Sequence, residues 1–256
     1  MRPDVGRYIP LSRPRRFVTD LVHFARKVPT VPVERRMNLA PLVAARQAAV
    51  PRPGWCPIFT KAYAIVAAAH PELRRAYLTF PTPHLYEHAF SIASVAVERR
   101  LGDENAVLFV PLRKPNEKNL LDLHAELQRA KESPVEQISA FRRLLRLSGL
   151  PRPLRRMIWW IGLNTWGRKR AHYFGTFGVS VYAGLGAASL HPLSPLTTAL
   201  NYGVIDEHGV VDVRVIYDHR VMDGATVARA LADLERVLKC EILAELQQLR
   251  ARDAAA

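Results

Sequence analysis

The chain has 256 residues, 49% of them hydrophobic, and 37 Lys and Arg against 23 Asp and Glu give a formal net charge of +14; that suffices for one large domain with a continuous core, or two small ones. No run of about 18 apolar residues suggests a membrane span, and the basic N-terminus, MRPDVGRYIPLSRPRR, has no apolar stretch behind it to make a signal peptide. Cys56 and Cys240, far apart and outside any CxxC, give neither a disulfide framework nor a zinc site, so a cytoplasmic protein is expected.

Arg7 to about Lys27 reads as an arm followed by an amphipathic helix, with Phe17, Leu21 and Phe24 at helical spacing. Pro29 and Pro32 end it. VPVERRM, residues 31–37, reads as a strand. A helix restarts at Ala40 with Pro41 near its first turn, where a missing N–H is harmless. Ile58 to Ala69 is a largely apolar helix, expected to be buried on most sides. Two short β-rich segments follow, Phe90 to Val97 and Ala106 to Pro111, with LGDEN from Leu101 as the turn. Asn119 to Lys131 is an amphipathic helix with Leu120, Leu121, Leu123, Leu127 and Ala130 on or near one face.

Residues 136–170 read as helical in two pieces, broken at Gly149–Pro153. No acidic residue stands between Glu136 and Asp206, while Arg142, Arg143, Arg146, Arg152, Arg155, Arg156, Arg168, Lys169 and Arg170 fall in that gap. Such a field attracts an anionic partner: nucleic acid, anionic lipid, a phosphorylated cofactor or an acidic carrier protein. A solvated basic face with no single ligand fits as well. No helix-turn-helix, zinc-finger or RNA-binding signature accompanies the charge, which argues against nucleic acid. Phe177 to Tyr182, Leu196 to Val204 and Val210 to Tyr217 read as strands, with DEHG at 206–209 as the turn between the last two. A long helix from Ala225 closes the chain. Helices mixed with short antiparallel strands make an α+β layer fold.

The last strand and helix enclose a polar knot, VRVIYDHRVMDGATVARAL, residues 213–231. Val211, Val213, Val215 and Tyr217 share one strand face; Asp212, Arg214 and Ile216 share the other. His219 joins the apolar face if the strand runs two residues further. A histidine there is partly desolvated, which disfavours its charged form, and a neutral imidazole suits a general base. A satisfied core histidine fits the same spacing. Asp223 precedes the helical stripe Val227, Ala230, Leu231, Leu234, Val237 and Leu238, where its carboxylate can cap the helix. A metal site on His219 and Asp223 lacks further ligands nearby. Spacing alone leaves these readings open.

YDHRVMDGA, residues 217–225, resembles the HxxxDG active-site motif of the catalytic domain of dihydrolipoamide acyltransferases, the E2 subunits of 2-oxoacid dehydrogenase complexes. Chloramphenicol acetyltransferase shares their fold and histidine motif. GTFGVS, residues 175–180, resembles the family's GTFTISN strand, and Ser180 to Val204 follows the family pattern through Pro192 and Pro195. VPLRKPNEKNLLDLHAEL (110–127), PLSRPRRFVTDLV from Pro10 and PTVPVERRMNLAPLVAAR from Pro29 resemble further family segments, in order. The resemblance covers most of the chain.

It implies a single catalytic domain over 1–256 with a chloramphenicol acetyltransferase-like two-layer α+β fold, a mixed sheet, and a homotrimer with active sites between subunits. By position, His219 matches the base that deprotonates the attacking thiol, hydroxyl or amine. Ser180, from the adjacent subunit, matches the hydroxyl that hydrogen-bonds the tetrahedral oxyanion. Asp223 matches the acid that orders the site by pairing with an arginine, for which Arg15 and Arg16 are candidates. Gly224 allows a tight backbone turn, and Arg220 lies within the motif. No covalent acyl-enzyme, permanently bound cofactor or metal is implied. The donor is a coenzyme A, carrier-protein or lipoyl thioester and the acceptor a small molecule.

The chain departs from the family in three respects. It carries no lipoyl domain, peripheral-subunit-binding domain or Ala/Pro-rich linker. Residues about 136–172 are longer than the family's link before GTF, with Leu154, Ile158 and Ile161 at helical spacing and Trp159, Trp160 and Trp166 added. This insertion reads as an extra helix on the core, as a wall for a hydrophobic acyl group with Arg155 and Arg156 facing a phosphorylated donor, or as peripheral contact with a membrane surface. The tail, residues 241–256, continues as a polar helix where the family's cubic cores rely on a short apolar C-terminus, so an isolated trimer is expected. Three functions follow. One is a free-standing acyltransferase. Another is an E2-type core served by a lipoyl domain on another chain, whereas an acidic carrier protein would serve the free-standing enzyme. The third is a non-catalytic trimeric scaffold, which the presence of His219, Asp223, Gly224 and Ser180 argues against.

Overall fold

A computed structural model describes residues 6–254, with side chains described through Arg250. Local signals set most boundaries. Ser12 opens α1 (Arg13–Ala25): its Oγ accepts the Arg15 N–H at 3.3 Å, and Pro14 stands in the first turn. β1 (Thr30–Asn38) follows, then α2 (Ala40–Ala48) and the apolar α3 (Trp55–Ala69), which buries Ile58, Phe59, Ala62, Tyr63 and Val66. A small hairpin, β2 (Arg75–Leu78) and β3 (His84–Glu87), precedes β4 (Ile92–Leu101) and β5 (Glu104–Arg113). Gly102, at φ +60°, makes the tight turn between β4 and β5. Asn119 caps α4 (Leu120–Glu132), its Oδ1 accepting the Asp122 N–H at 2.8 Å.

The basic segment forms three helices rather than two: α5 (Ser139–Gly149), α6 (Arg152–Asn164) and α7 (Gly167–Phe174). The first break falls at Leu150–Pro151, as the sequence suggests. The second has a side-chain cause. Thr165 Oγ1 donates to Ile161 O at 2.7 Å and Asn164 Nδ2 donates to Trp160 O at 2.9 Å, so the last carbonyls of α6 are satisfied without another turn. Gly167 then lies flat on the Tyr86 ring, where a Cβ would sit 2.1 Å from a ring carbon. β6 (Phe177–Val179), β7 (Thr198–Tyr202), β8 (Val210–Asp218) and α8 (Gly224–Val237) follow. A single π-turn at Leu238–Ile242 leads into α9 (Leu243–Ala254). The tail is docked: Ile242 and Leu246 are fully buried. Glu245 pairs with Lys61 at 2.5 Å and accepts the Leu120 N–H at 2.8 Å, at the positive end of α4.

Six strands form one mixed sheet in the order β1-β8-β7-β6-β4-β5, with β6 parallel to both its neighbours and the other pairs antiparallel. The pairing register sorts the side chains. Val95, Val110, Val179, Leu200 and Val215 lie in one row across one face. On that face Tyr63 of α3 packs 4.7 Å from Phe177 and donates to Thr198 Oγ1 at 2.8 Å. The α+β class and the mixed sheet agree with the sequence reading. A further helical layer, made of α1, α5 and α6, covers part of the opposite face, where Phe17 meets Phe109 at 5.6 Å. Among the described residues no helix is long and apolar enough to cross a membrane.

This second layer is held by aromatic packing and one buried charge. Trp159 of α6 stacks on Phe24 at 5.6 Å and tilts against Phe17 and Phe174. Burial of each such ring contributes about 1.5–3 kcal/mol. Asp20, buried in the apolar stripe of α1, accepts Arg155 Nε at 2.5 Å and Nη2 at 3.3 Å, with Arg156 Nε at 3.6 Å. Arg155 also reaches Leu150 O at 3.1 Å. Asp20→Ala, which strands Arg155 without its counter-charge, should cost about 3–5 kcal/mol in urea unfolding. A loss below 1 kcal/mol would mean that the layer does not depend on this pair.

Candidate active site

β8 stops at Asp218 because its buried carboxylate gathers the turn that follows. The Asp218 N–H donates to Thr197 O at 2.8 Å. Its Oδ1 accepts the Arg220 N–H at 3.0 Å and Arg220 Nε at 2.9 Å, and its Oδ2 accepts Nη2 at 2.7 Å. The Arg220 guanidinium lies 4.4 Å over the Tyr77 ring. His219 is thereby set between two fixed residues, its N–H donating to Pro29 O at 3.1 Å.

The imidazole does not join the buried face as expected. The turn aims it outward, and 51% of its side-chain surface is exposed in the single chain. Its Nδ1 is 3.6 Å from Asp223 Oδ1, an ion-pair distance longer than a hydrogen bond. Asp223 does occupy the N-cap position of α8, but the cap is made by its backbone: the Asp223 C=O accepts Thr226 N–H at 3.0 Å and Val227 N–H at 3.3 Å, while the carboxylate caps nothing. A carboxylate on that side favours the tautomer with its proton on Nδ1 and leaves Nε2 as acceptor. Gly224 has no left-handed φ; its reason is contact, since a Cβ would lie 3.2 Å from Tyr217 Oη. Burial, followed by the charge of Asp223, pushes that hydroxyl's pKa up. Neither expected arginine reaches Asp223 within the chain: Arg16 Nε donates to Leu11 O at 3.0 Å, and Arg15 lines a cleft elsewhere.

Ser180 stands just past β6, which is shorter than expected. Its N–H still pairs with Leu200 O at 3.2 Å, but its carbonyl is taken by Asn201 Nδ2 at 2.5 Å, and the strand ends. Val179 pairs with Leu200 and Leu200 with Val215, so Ser180 is level with Arg214. His219 lies five residues further along β8 and two strands across. That separates them by roughly 17 Å along the strands and about 10 Å across. In one chain the two side chains sit at opposite ends of the sheet and cannot touch the same atom.

Ser180 lines one large cleft of about 870 Å³, enclosed by the sheet, α1 and the α5–α7 insertion. Trp159 forms part of its wall, and half-exposed Trp166 stands at its rim under Lys169 Nζ at 4.3 Å. Trp160 is not part of it and faces Phe80 at 6.3 Å. Arg155 and Arg156 do not face a donor, because Asp20 engages both.

Two supporting residues escaped the sequence reading. Asp218 had one signal, an acid closing an apolar strand with an arginine two residues on. Arg170 had none, being one basic residue in a basic run. It is buried within reach of the charges of Asp218 and Arg220, donates Nη2 to Pro195 O at 3.0 Å, and leaves Nε and Nη1 unpartnered. Burial brings its pKa down to about 10; Asp218 opposes that and Arg220 adds to it. Beside it, burial together with Arg170 and Arg74 lowers His88 to about 4.

No protein-family model and no curated protein matches the chain. Solved structures do match in fold. The dihydrolipoamide acetyltransferase of Azotobacter vinelandii, solved to investigate the role of a serine, a histidine and an asparagine in its catalytic mechanism, is 19% identical. The match covers 94% of this chain and 96% of that one, with a TM-score of 0.69. A probable dihydrolipoamide acetyltransferase of Listeria monocytogenes is 16% identical over 91% of this chain and 94% of that one, TM-score 0.65. A truncated catalytic core of the 2-oxoacid dehydrogenase complex of Thermoplasma acidophilum is 17% identical over 92% and 99%, TM-score 0.63. The fold is therefore that of these catalytic cores.

The depressed His88 gives a pH dependence of stability. Between its ordinary 6.5 and about 4 the unfolded chain binds a proton that the folded chain does not. The His88 contribution is complete above pH 6.5 and falls as pH drops, by roughly 2–3 kcal/mol at pH 4.5. Urea unfolding of His88→Gln should lose that much less than the parent chain between pH 7 and 4.5. Equal losses would rule out His88 as the source.

Proposed function

We propose that this chain is an acyltransferase that moves an acyl group from a thioester donor to a small acceptor, at a site shared between subunits of a homotrimer. The observation that carries this reading is the placement of His219 with Asp223 at one end of the sheet and Ser180 at the other. Each chain offers two half-sites, and a neighbouring copy completes each. His219 Nε2 takes the proton of the attacking thiol, hydroxyl or amine as the new bond to the thioester carbon forms. Ser180 of the adjacent subunit donates a hydrogen bond to the oxyanion. Collapse of the intermediate breaks the carbon–sulfur bond, and the departing thiolate takes back the proton. Asp223 holds the imidazole in its tautomer. A neighbour packed over His219 would supply the desolvation that the single chain lacks.

The Azotobacter enzyme supports this reading. Its investigated histidine and asparagine are four positions apart, as His219 and Asp223 are here, and it too pairs them with a serine. The donor is a coenzyme A, carrier-protein or lipoyl thioester. Turnover with dihydrolipoamide would mark a lipoyl donor supplied by another chain.

Purified protein should release free thiol from an acyl-CoA panel when the acceptor is present. His219→Ala should lower turnover by about 10²–10⁴, and Ser180→Ala by about 10²–10³. Trimers reassembled from equal parts of the two variants should regain activity at about a quarter of the sites, where the intact His219 of one subunit meets the intact Ser180 of the next. No recovery in folded mixed trimers would place both residues in one subunit's site, against the geometry above. Full activity in His219→Ala would remove the base.

A further inference from the structure

Resting on the acyl-transfer reading, we propose that the cleft between the sheet and α1, α5, α6 and α7 receives a medium or long acyl chain, whose phosphate-bearing thioester donor is held by Arg142, Arg143 and Arg146 at the cleft's edge. The room comes from the sheet. Pro111, Ser94, Gly178 and Ala199 pair in register across β5, β4, β6 and β7, so their side chains share the cleft-facing side. In the next row Phe109 pairs with Ala96, level with Ser180. On the opposite face the same strands carry Val95, Val97, Val179 and Leu200, all buried. Under β4, β6 and β7 the floor of the cleft is thus built from small side chains where bulky ones would have closed it, and Val107 and Phe109 of β5 bound it on one side. Its volume of about 870 Å³ is on the scale of sites that enclose a whole ligand, ~300–1,000 Å³.

The walls are apolar: Leu21, Leu144, Leu147, Ile161, Trp159 and Phe174. The floor leads to Ser180, so a chain lying over Ser94 and Ala96 brings its carbonyl end toward the hydroxyl assigned to the oxyanion. Among the described residues, the charged and imidazole side chains lining the cleft, Arg15, Arg143, Lys169 and His172, are all basic and exposed, and the other titratable groups there are the phenols of Tyr173 and Tyr182. Arg143 also lines a smaller depression of about 280 Å³ with Ser139, Arg142 and Arg146. Among the described residues no carboxylate lines either. An apolar tail with an anionic head fits both together, and a cationic ligand does not.

The test measures binding apart from turnover. Full-length His219→Ala is titrated calorimetrically with acetyl-, octanoyl- and palmitoyl-CoA, and with free palmitate. Affinity should rise by up to about fourfold per methylene until the cleft is filled. Ala96→Leu should abolish the gain for the longest chain. Gly178→Ala, whose Cβ meets nothing closer than 3.5 Å, should fold normally and shift the chain-length optimum downward. Arg143→Ala with Arg146→Ala should weaken all three acyl-CoAs and leave palmitate binding. Affinity independent of chain length, or an unchanged length profile in Ala96→Leu, overturns the proposal. Acetyl transfer by the parent chain with no long-chain binding would sink the cleft and keep the acyltransferase. Long-chain binding with no transfer to any acceptor would sink the acyltransferase and keep the cleft.

Discussion

One buried carboxylate decides how half of this molecule is arranged. Asp20 interrupts the apolar stripe of α1, and a charge so placed must be paired or it costs several kcal/mol. Arg155 of α6 engages it through two nitrogens, and Arg156 approaches from the side. The pair docks the insertion onto the first helix. Trp159 then falls on Phe24, and Phe174 closes behind it. Those contacts hold α6 away from the sheet at a height set by aromatic rings. Below, the sheet presents Ser94, Ala96, Gly178 and Ala199. A high roof over a low floor leaves a cleft, so the ion pair and the small residues produce it together.

A second carboxylate performs the corresponding task at the other end of the sheet. Asp218 is held by Arg220 in a bidentate contact and faces the field of buried Arg170. The turn it organises is tight and supported from below, which suits a group that must be aimed within a fraction of an ångström. Pre-organisation is bought there with polar groups that are costly to bury, the unpartnered nitrogens of Arg170 among them. His219 itself remains outward and half exposed. The sheet thus carries a rigid polar turn at one end and an apolar cleft beside a hydroxyl at the other. Under the proposed assembly, a neighbouring copy brings unlike ends together.

Much of the fold is legible in the order of residues. Asn119 and Gly102 mark a helix start and a hairpin turn because each acts on backbone within a few residues of itself. Alternation along 211–217 gives both faces of β8 correctly, since pleating needs no distant partner. Apart from the second break in the basic segment and the early end of β6, the readings that changed concern side chains whose environment comes from elsewhere. Arg155 and Arg156 look like donor ligands until Asp20, 135 positions away from Arg155, is placed beside them. Trp159 and Trp160 are adjacent and equally apolar, yet the helix turns one into the cleft wall and the other toward Phe80. Gly224 suggests a tight backbone turn, but the constraint is the Tyr217 hydroxyl.

The sequence by itself determined most of the elements, the faces of the clearly periodic ones and, through HxxxDG and GTFGVS, which few residues to watch. Those properties depend on neighbours within a few positions, where φ/ψ preference and periodicity act. Only the tertiary structure decided that His219 turns outward, that Ser180 lies at the far end of the sheet, and that a row of small side chains opens a cleft beneath the insertion. Each of these rests on strands and helices far apart in the chain, brought together by buried charge and by the register of the sheet.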